Sequence, residues 1–491
     1  MARASSRANL PNPKRSLRSD PRASMTQPPK QLIVVGQGAA GLAAALAAAE
    51  EARRTGLTLA VTILDKAAEG EAGGNTRSTP SYMRMVALDR VEESFAADMM
   101  AATDGRGDRR YFERLAAEAP ATMRWIGSHG VEFHKPVYYL AKGPPRIQPV
   151  GGGQAIVGAL TKAANAAGVT IRYGCTARAL AVEGGALHGV EIESGGRTEI
   201  VAADAVVLAS GGFQGDPARM REHFGPRGET MKLISPGTRF NTGDGIAMAR
   251  AHGVDVSGQW DGMHCEPIDP RSKNSAPVVL VYPYGVVVDK AGRRFFDEGA
   301  GLVHETWEAF ARDIQFNRPD GTAFAILDRR LFDIPDWQRA TRSEVPPAQA
   351  DTLEALARAI GVDPAGLAET VARYNAACTG DASRFDAAVC DGLAAAPGLF
   401  PPKSNWARAI SELPFVAYPL IGAIAYTFGG LATDERARAL RSGEPFPGLY
   451  AAGEITGHFY GTAPNAVSVL RAFVFGRIAG LEAVSYLRGN G

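Results

Sequence analysis

Two apolar runs near the start of the chain, separated by a segment with helical spacing, predict a strand, a helix and a second strand. The runs are residues 31–35 (Gln-Leu-Ile-Val-Val) and residues 59–64 (Leu-Ala-Val-Thr-Ile-Leu). Between them Leu42, Leu46 and Ala49 fall on one face of an alanine-rich helix. Strands buried on both faces of a parallel sheet are apolar throughout, so this pattern favours an α/β fold.

The turn between the first strand and the helix holds three glycines at the spacing of a phosphate-binding turn. Such glycines permit a tight turn, a close approach of the backbone to a pyrophosphate, and packing of the helix on the strand. The free N–H groups of the helix N-terminus also favour an anion. Asp65 ends the second strand, where a carboxylate accepts ribose hydroxyls. The residues predicted to contact a dinucleotide here are Gly36, Gly38, Ala39, Ala40, Gly41 and Asp65.

Later segments also predict a ligand at the carboxyl edge of a parallel sheet. Residues 91–130 are predicted to be helical, and residues 169–173, 187–193 and 205–209 are predicted to be strands. Glycines stand before a helix at residues 151–153, and a glycine pair follows the strand at residues 205–209. The ligand contacts predicted from these segments are Gly152, Gly153, Ala177, Ala209, Ser210 and Gly211.

Composition excludes several classes of protein. The 491 residues are 45% hydrophobic and 21% charged, with a net charge of +1, which gives no indication of a nucleic-acid surface. The length predicts two domains, and no apolar stretch is long enough to span a membrane. The four cysteines form no CxxC pair, so no iron–sulfur or zinc site is predicted.

Residues 1–30 differ from the rest because they carry seven basic residues and one acid. They contain neither the apolar core of a secretory signal nor an adjacent arginine pair. We interpret them as a disordered basic leader, or as an extension before a true start at Met25, with a transit peptide as the alternative. The predicted location is cytoplasmic.

The loop after Asp65 indicates which nucleotide is bound. A glycine pair followed by small polar side chains suits a loop over a pyrophosphate and the ribityl arm of a flavin. With the Thr-Gly-Asp-Gly segment ending at Gly245 and the Ala-Gly-Glu-Ile-Thr-Gly segment, it resembles the fumarate reductase and succinate dehydrogenase flavoprotein family. The resemblance implies FAD, held non-covalently because no histidine lies between Asp65 and Met85. It adds to the FAD site Lys66, Gly74, Asn75, Thr76, Arg77, Ser78, Asp244, Glu454, Ser468 and Val469.

The resemblance also implies the domain organisation: a discontinuous, Rossmann-like FAD-binding domain with an inserted α+β capping domain. The predicted FAD-binding parts are residues 31–258 and 426–491, and the predicted cap is residues 259–425. Within the cap, a hairpin is predicted around residues 279–288. In the family such a cap closes over the isoalloxazine ring and excludes water.

In this family a flavin exchanges hydride at N5 with a carbon beside a carboxylate, and a protein group handles the neighbouring proton. The last helix, from about residue 466 to 487, is expected to direct its positive N-terminal dipole at the flavin. His264 is a candidate carboxylate ligand or base, and Tyr426 is a candidate donor or, with a lowered pKa, a base. Arg239 and Arg471 are candidate carboxylate ligands. The alternative is that each is an ordinary surface charge, which is expected more for Arg471 than for Arg239.

Some segments narrow the resemblance to the tricarballylate dehydrogenase branch, among them Phe475-Gly-Arg-Ile-Ala-Gly. The proton-delivering arginine of flavocytochrome-type fumarate reductases falls on Phe332 here, so fumarate reduction is not favoured. The resemblance therefore predicts oxidation or reduction of a CH–CH bond in a small carboxylate, first tricarballylate, and a membrane-associated partner that reoxidises the FAD. The alternatives are a ketosteroid or other enoate as substrate, an electron-transfer flavoprotein subunit, and a non-enzymatic nucleotide-binding scaffold.

Overall fold

The computed structural model describes residues 1–2, 28–137, 140 and 142–489. The predicted leader lies almost entirely outside the described residues. The strands are β1 (Lys30–Val35), β2 (Leu59–Leu64), β3 (Phe133–His134), β4 (Gln148–Pro149), β5 (Thr170–Arg172), β6 (Cys175–Glu183), β7 (Ala186–Ser194), β8 (Arg197–Ala202), β9 (Ala205–Leu208), β10 (Lys232–Leu233), β11 (Val256–Ser257), β12 (Met263–Ile268), β13 (Val286–Val288), β14 (Ala323–Asp328), β15 (Ala348–Ala350), β16 (Phe415–Thr427), β17 (Gly430–Leu431), β18 (Arg438–Arg441) and β19 (Glu444–Ala451). The α-helices are α1 (Ala39–Thr55), α2 (Gly74–Ser78), α3 (Phe95–Ala102), α4 (Arg109–Ser128), α5 (Gly152–Ala166), α6 (Pro217–Phe224), α7 (Pro226–Glu229), α8 (Asp244–Arg250), α9 (Val303–Asn317), α10 (Leu353–Ile360), α11 (Pro364–Ala377) and α12 (Ser468–Leu487).

The first sheet has the strand order β18-β19-β9-β1-β2-β5. All its neighbouring strands are parallel except β18 and β19. Val35, the last residue of β1, lies opposite Leu64 of β2 and Leu208 of β9, so three strands end together. The predicted Rossmann-like α/β fold is confirmed, and ligands in such folds bind beyond this carboxyl edge.

Two helices of small residues pack closely against each other over this sheet. A Cβ atom on Gly476 of α12 would lie 2.3 Å from the carbonyl oxygen of Ala40, and one on Gly480 would lie 2.2 Å from that of Ala44. The alanines of α1 face these glycines, so the backbones come into direct contact. This contact fixes the N-termini of both helices at the same edge of the sheet.

The second sheet is built around the long strand β16. Strands β12, β14 and β15 pair with β16 in antiparallel register, β10 pairs with it in parallel, and β13 extends the sheet beyond β14. Helix α9 packs against β12 and β16. Because β16 runs towards the edge of the first sheet, the two sheets enclose a space between them. The domain boundaries at residues 258 and 425 stay a prediction.

Two predicted elements are wrong in detail. The helical region at residues 91–130 is interrupted, because Asp104 and Gly105 adopt left-handed φ angles of 53° and 71° between α3 and α4. Residues 279–288 form no hairpin: Tyr282–Tyr284 is a 3₁₀ turn, and β13 pairs with β14, which follows much later in the chain. In the described part of the chain, every helix is too short or too polar to cross a bilayer.

Candidate functional site

A large cavity lies between the carboxyl edge of the first sheet and the second sheet. Its volume, including the part open to solvent, is about 1940 Å³. The cavity runs from the phosphate-binding turn after β1 to the residues of the second sheet, so both sheets contribute to its lining. The predicted cofactor residues that line it are Gly36, Gly38, Ala39, Ala40, Asp65, Lys66, Gly74, Asn75, Thr76, Ser78, Ala177, Ala209, Ser210, Gly211, Asp244, Glu454, Ser468 and Val469.

Four other predicted contacts lie outside the cavity lining. A Cβ atom on Gly41 would lie 1.8 Å from the carbonyl oxygen of Gly36, and one on Gly153 would lie 1.7 Å from that of Thr76. These glycines pack the turns together instead of lining the cavity. Arg77 donates a hydrogen bond to a carbonyl of its own loop. The residues placed outside the lining are Gly41, Arg77, Gly152 and Gly153.

The first turn of α1 presents N–H groups to the cavity. Gly38 precedes the helix and, having no side chain, leaves its N-terminus uncapped. Thr76 Oγ1 accepts the N–H of Ala39 at 3.1 Å, and the N–H groups that follow have no intrahelical acceptor. Ser210 Oγ is buried without a hydrogen-bond partner among the described residues. This open backbone and the orphaned hydroxyl fit the polar groups of a dinucleotide.

Asp65 stands at the end of β2 beside this turn. Its two carboxylate oxygens accept the N–H groups of Gln37 and Ala67, each at 2.8 Å. Burial raises the pKa of Asp65, although these hydrogen bonds oppose that effect. Each oxygen keeps a further lone pair, so the carboxylate can accept the ribose hydroxyls predicted from the sequence.

Helix α12 and Glu454 form the end of the predicted FAD site that lies away from the α1 turn. Ser468 and Val469 begin α12 at the cavity, and no side chain caps that helix. Glu454 accepts hydrogen bonds from Asn241 Nδ2 at 2.9 Å and from the N–H of Thr427 at 3.3 Å. Burial raises the pKa of Glu454 to about 7. The uncapped N-terminus supplies a partial positive charge here.

His264 lies between two glutamates on the cap side of the cavity. Its Nδ1 donates to Glu308 at 2.8 Å and its Nε2 donates to Glu266 at 3.2 Å. Burial lowers the pKa of His264, but these two hydrogen bonds outweigh burial and raise the pKa to about 9. The side chain is therefore an imidazolium with both nitrogens engaged. A direct role of His264 as a base or as a ligand of a substrate carboxylate stays a prediction that this geometry does not favour.

The free energy of unfolding is expected to fall as the pH rises from 6.5 to about 9, since the folded protein retains the His264 proton. Below pH 6.5 the imidazolium is present in both states and its contribution is complete; above pH 9 the contribution is lost. The loss due to His264 is about 3 kcal/mol. Urea unfolding across this range, with His264→Gln as the comparison, measures it; equal slopes for the two proteins would contradict the assignment.

Tyr426 faces the same part of the cavity, with its ring centroid 4.9 Å from that of His264. Burial raises the pKa of the Tyr426 phenol, and a hydrogen bond to Ser468 opposes this only in part. The environment therefore disfavours the ionised form that a tyrosinate base would require. Donation of a hydrogen bond by the phenol stays a prediction.

The two candidate arginines occupy the reverse of their expected environments. Arg471 is 1% exposed and lines the cavity. Its Nη1 donates to the carbonyl of Thr456 at 3.3 Å, its guanidinium lies 4.0 Å from the Phe459 ring centroid, and its Nε has no partner among the described residues. Arg239 is outside the lining, 45% exposed, and pairs with Glu71. A substrate role for Arg239 is therefore not supported.

Several residues that converge on the cavity were not among the predicted site residues, although Arg146 precedes a glycine run that the sequence analysis used. Arg342 Nη2 donates to Tyr82 Oη at 3.0 Å, and both residues line the cavity. Burial, together with the nearby charge of Arg146, lowers the pKa of His304 to about 4. Glu266 could have been found, because it follows His264 by two positions and alternate strand residues share a face. The lining residues not predicted as catalytic include Tyr82, Arg146, Glu266, His304, Trp307 and Arg342.

Comparisons with known proteins agree with this geometry. The FAD binding domain family matches residues 31–468. The chain is 28% identical over 484 residues to "Probable fumarate reductase Ifc3" of Shewanella frigidimarina, covering 93% of this chain and 75% of that protein. It is 26% identical over 487 residues to urocanate reductase of Eggerthella lenta, covering 92% and 74%.

Among solved structures, the open conformation of a flavocytochrome c3 fumarate reductase is similar, with a TM-score of 0.74 and 26% identity. The match covers 94% of this chain and 79% of that one. The family match spans most of the chain, and the cavity fits the cofactor. The chain therefore belongs to the FAD-binding fumarate reductase and succinate dehydrogenase flavoprotein family, and it is an FAD-dependent oxidoreductase of CH–CH bonds.

Proposed function

We propose that the chain oxidises or reduces the CH–CH bond of a small polycarboxylate, with tricarballylate as the first candidate. The observation that supports this is the set of arginines that line the cavity: Arg146, Arg342 and Arg471. Guanidinium groups bind carboxylates through paired hydrogen bonds. Several cations in one cavity suit a substrate with more than one carboxylate.

Arg471 is the central feature of this proposal. In the described part of the chain it makes no ion pair with a carboxylate, yet it is almost fully buried. A buried charge without a counterion is unfavourable, so an incoming anion gains a strong electrostatic interaction there. We assign one substrate carboxylate to Arg471, and a second to Arg146 and Arg342.

The FAD residues would hold the cofactor with its phosphates at the N-terminus of α1 and its ring near the N-terminus of α12. Bound FAD supplies two-electron hydride exchange with a substrate carbon. The chain's own part is to hold the substrate carboxylates, to exclude water with the second sheet, and to present the uncapped α12 N-terminus. A membrane-associated partner that reoxidises the FAD, and a cytoplasmic location, stay predictions from the sequence.

Anaerobic titration of the FAD-loaded protein tests the proposal. We expect tricarballylate to bleach the oxidised flavin band at a rate that saturates as its concentration rises. We expect succinate to bleach the band more slowly. A ketosteroid and an uncharged ester of tricarballylate serve as controls, because neither offers carboxylates to the arginines. The proposed substrate class would be contradicted if only the ketosteroid bleached the flavin. It would also be contradicted if light reduced the flavin but none of the acids did.

A further inference from the structure

A chain of three ionisable side chains leads from the cavity into the cap. His264 and Glu266 of β12 both line the cavity, whereas Cys265 between them is fully buried and outside the lining. Behind them Glu308 of α9 accepts the Nδ1 proton of His264 at 2.8 Å. The cluster is held by two different elements, β12 and α9, that pack directly on each other.

Glu266 is the member of this cluster that meets the cavity with an uncommitted oxygen. Its Oε1 accepts the Nε2 proton of His264 at 3.2 Å, and within the described chain its Oε2 accepts no hydrogen bond. The side chain is 15% exposed, and that exposure is to the cavity. A carboxylate with one oxygen anchored and one free is suitably placed to accept a proton from a bound molecule.

The charged groups packed around Glu266 come from its own strand and from α9. His264 contacts both Glu266 and Glu308. Arg312 stands one turn after Glu308 on α9, and its charge acts on Cys265.

Other titratable groups of the cavity are less suitable. Tyr426 is held protonated by burial, and both oxygens of Glu454 already accept hydrogen bonds from protein groups. His304 lies beside Arg146, whose charge opposes protonation of the imidazole, so His304 is a weak base. Phe332, which replaces the proton-delivering arginine of related enzymes, does not reach the cavity, and neither do Arg329 and Arg330.

We propose that Glu266 takes and returns the substrate proton, and that His264 and Glu308 are positioning residues that hold its carboxylate; this rests on the function proposed above. In the oxidative direction the substrate loses a hydride from one carbon to FAD, which gains two electrons. The adjacent C–H bond breaks, its proton goes to Glu266 Oε2, and its electron pair forms the C=C bond. In the reductive direction the same proton returns from Glu266 to carbon.

The test compares wild type with Glu266→Gln, which keeps the size of the side chain and an oxygen for His264. In the FAD-loaded variant we expect the rate of flavin reduction by tricarballylate to fall about 100- to 10,000-fold. Exchange of solvent deuterium into the CH positions of the substrate (deuterium wash-in), which NMR detects, should be lost together with flavin reduction. Photoreduction of the FAD and the substrate Kd, from spectral perturbation, should stay within about threefold.

Two matched variants separate catalysis from positioning. His304→Gln tests the other imidazole of the cavity as the proton acceptor, since loss of deuterium wash-in there with normal wash-in in Glu266→Gln would assign the proton to His304 instead. Glu308→Gln should reduce the rate about tenfold and shift its pH profile, since His264 then loses one of its two acceptors. A purely structural role would lower stability without shifting the profile.

The outcomes distinguish the two proposals. If wild type reacts and Glu266→Gln reacts equally fast, or if wash-in is lost in His304→Gln instead, the assignment of Glu266 is overturned while the function stands. If no carboxylate reduces the wild-type flavin although light does, the proposed function is overturned and Glu266 with it. Loss of reaction in Glu266→Gln with unchanged photoreduction supports the assignment.

Discussion

Replacing Gly41 with alanine is expected to abolish FAD loading and to destabilise the fold. The added Cβ atom would lie 1.8 Å from the carbonyl oxygen of Gly36 and 3.3 Å from Val34 Cγ1. The nearest obstacle is backbone, which cannot rotate away as a flexible side chain would. Either α1 or the turn must move, and such overpacking costs about 3 kcal/mol.

Gly38→Ala provides the informative contrast, because it changes the same turn without a clash in the protein. The φ of Gly38 is −68°, which alanine adopts readily, and its Cβ atom would meet only Thr76 Oγ1, at 3.6 Å. That Cβ atom would occupy the space through which the backbone approaches a pyrophosphate. We expect unchanged stability of the apoprotein and a Kd for FAD that rises about 100-fold, or about 3 kcal/mol.

Fluorescence titration with FAD and urea unfolding of the apoprotein measure the two effects separately. The matched control is Gly158→Ala, an exposed glycine inside α5 whose added Cβ atom has open space. It should bind FAD normally and gain up to about 1 kcal/mol of stability. Normal FAD affinity in Gly41→Ala and Gly38→Ala would show that this turn does not hold the phosphates.

This turn was predictable because its parts are close together in the sequence. The apolar runs fix β1 and β2, the glycines fix the turn, and parallel strands bring their carboxyl ends to one edge. The same reasoning led from β9 to Gly211, whereas Glu454, which follows β19, was predicted from the family resemblance; both line the cavity. Packing of Gly153 on Thr76 could not be anticipated, since it depends on the distance between two separate loops.

The cap side could not be predicted in the same way. His304, Arg342 and Tyr82 meet in the cavity from three distant segments, and no local pattern connects them. Their convergence depends on the strand pairings around β16, which join segments far apart in the chain. The family resemblance helps little there, because the one cap position that it assigned to proton delivery is Phe332 in this chain.

The environments of Arg239 and Arg471 illustrate the difference between position in sequence and orientation in space. Arg239 precedes a flavin-binding segment, but the 3₁₀ turn at Pro236–Phe240 directs it outward to Glu71. Arg471 falls in a helix that is buried around most of its circumference from residue 470 to 476. Helical spacing identified the apolar face of α12, but it could not show that the remaining faces are covered as well.

Replacing Arg471 with methionine is expected to weaken substrate binding strongly while leaving the apoprotein as stable or more stable. Arg471 makes no ion pair in the described part of the protein, and the Glu454 that acts on it is more distant, so methionine removes a poorly compensated buried charge and fills similar volume. Such replacements are commonly neutral or stabilising, by about 1–4 kcal/mol. Loss of a buried charge pair with the substrate should raise the Kd for tricarballylate at least about 100-fold.

Arg239→Met is the matched control because it removes the same group from an exposed ion pair. An exposed pair contributes about 0–1 kcal/mol, so both stability and substrate affinity should change little. Equilibrium binding to the oxidised, FAD-loaded proteins and thermal unfolding of the apoproteins provide the two readouts. A structural role predicts the opposite result, in which Arg471→Met melts early and binds substrate normally. Weak binding with retained stability would mean that the buried charge of Arg471 serves the ligand and not the fold.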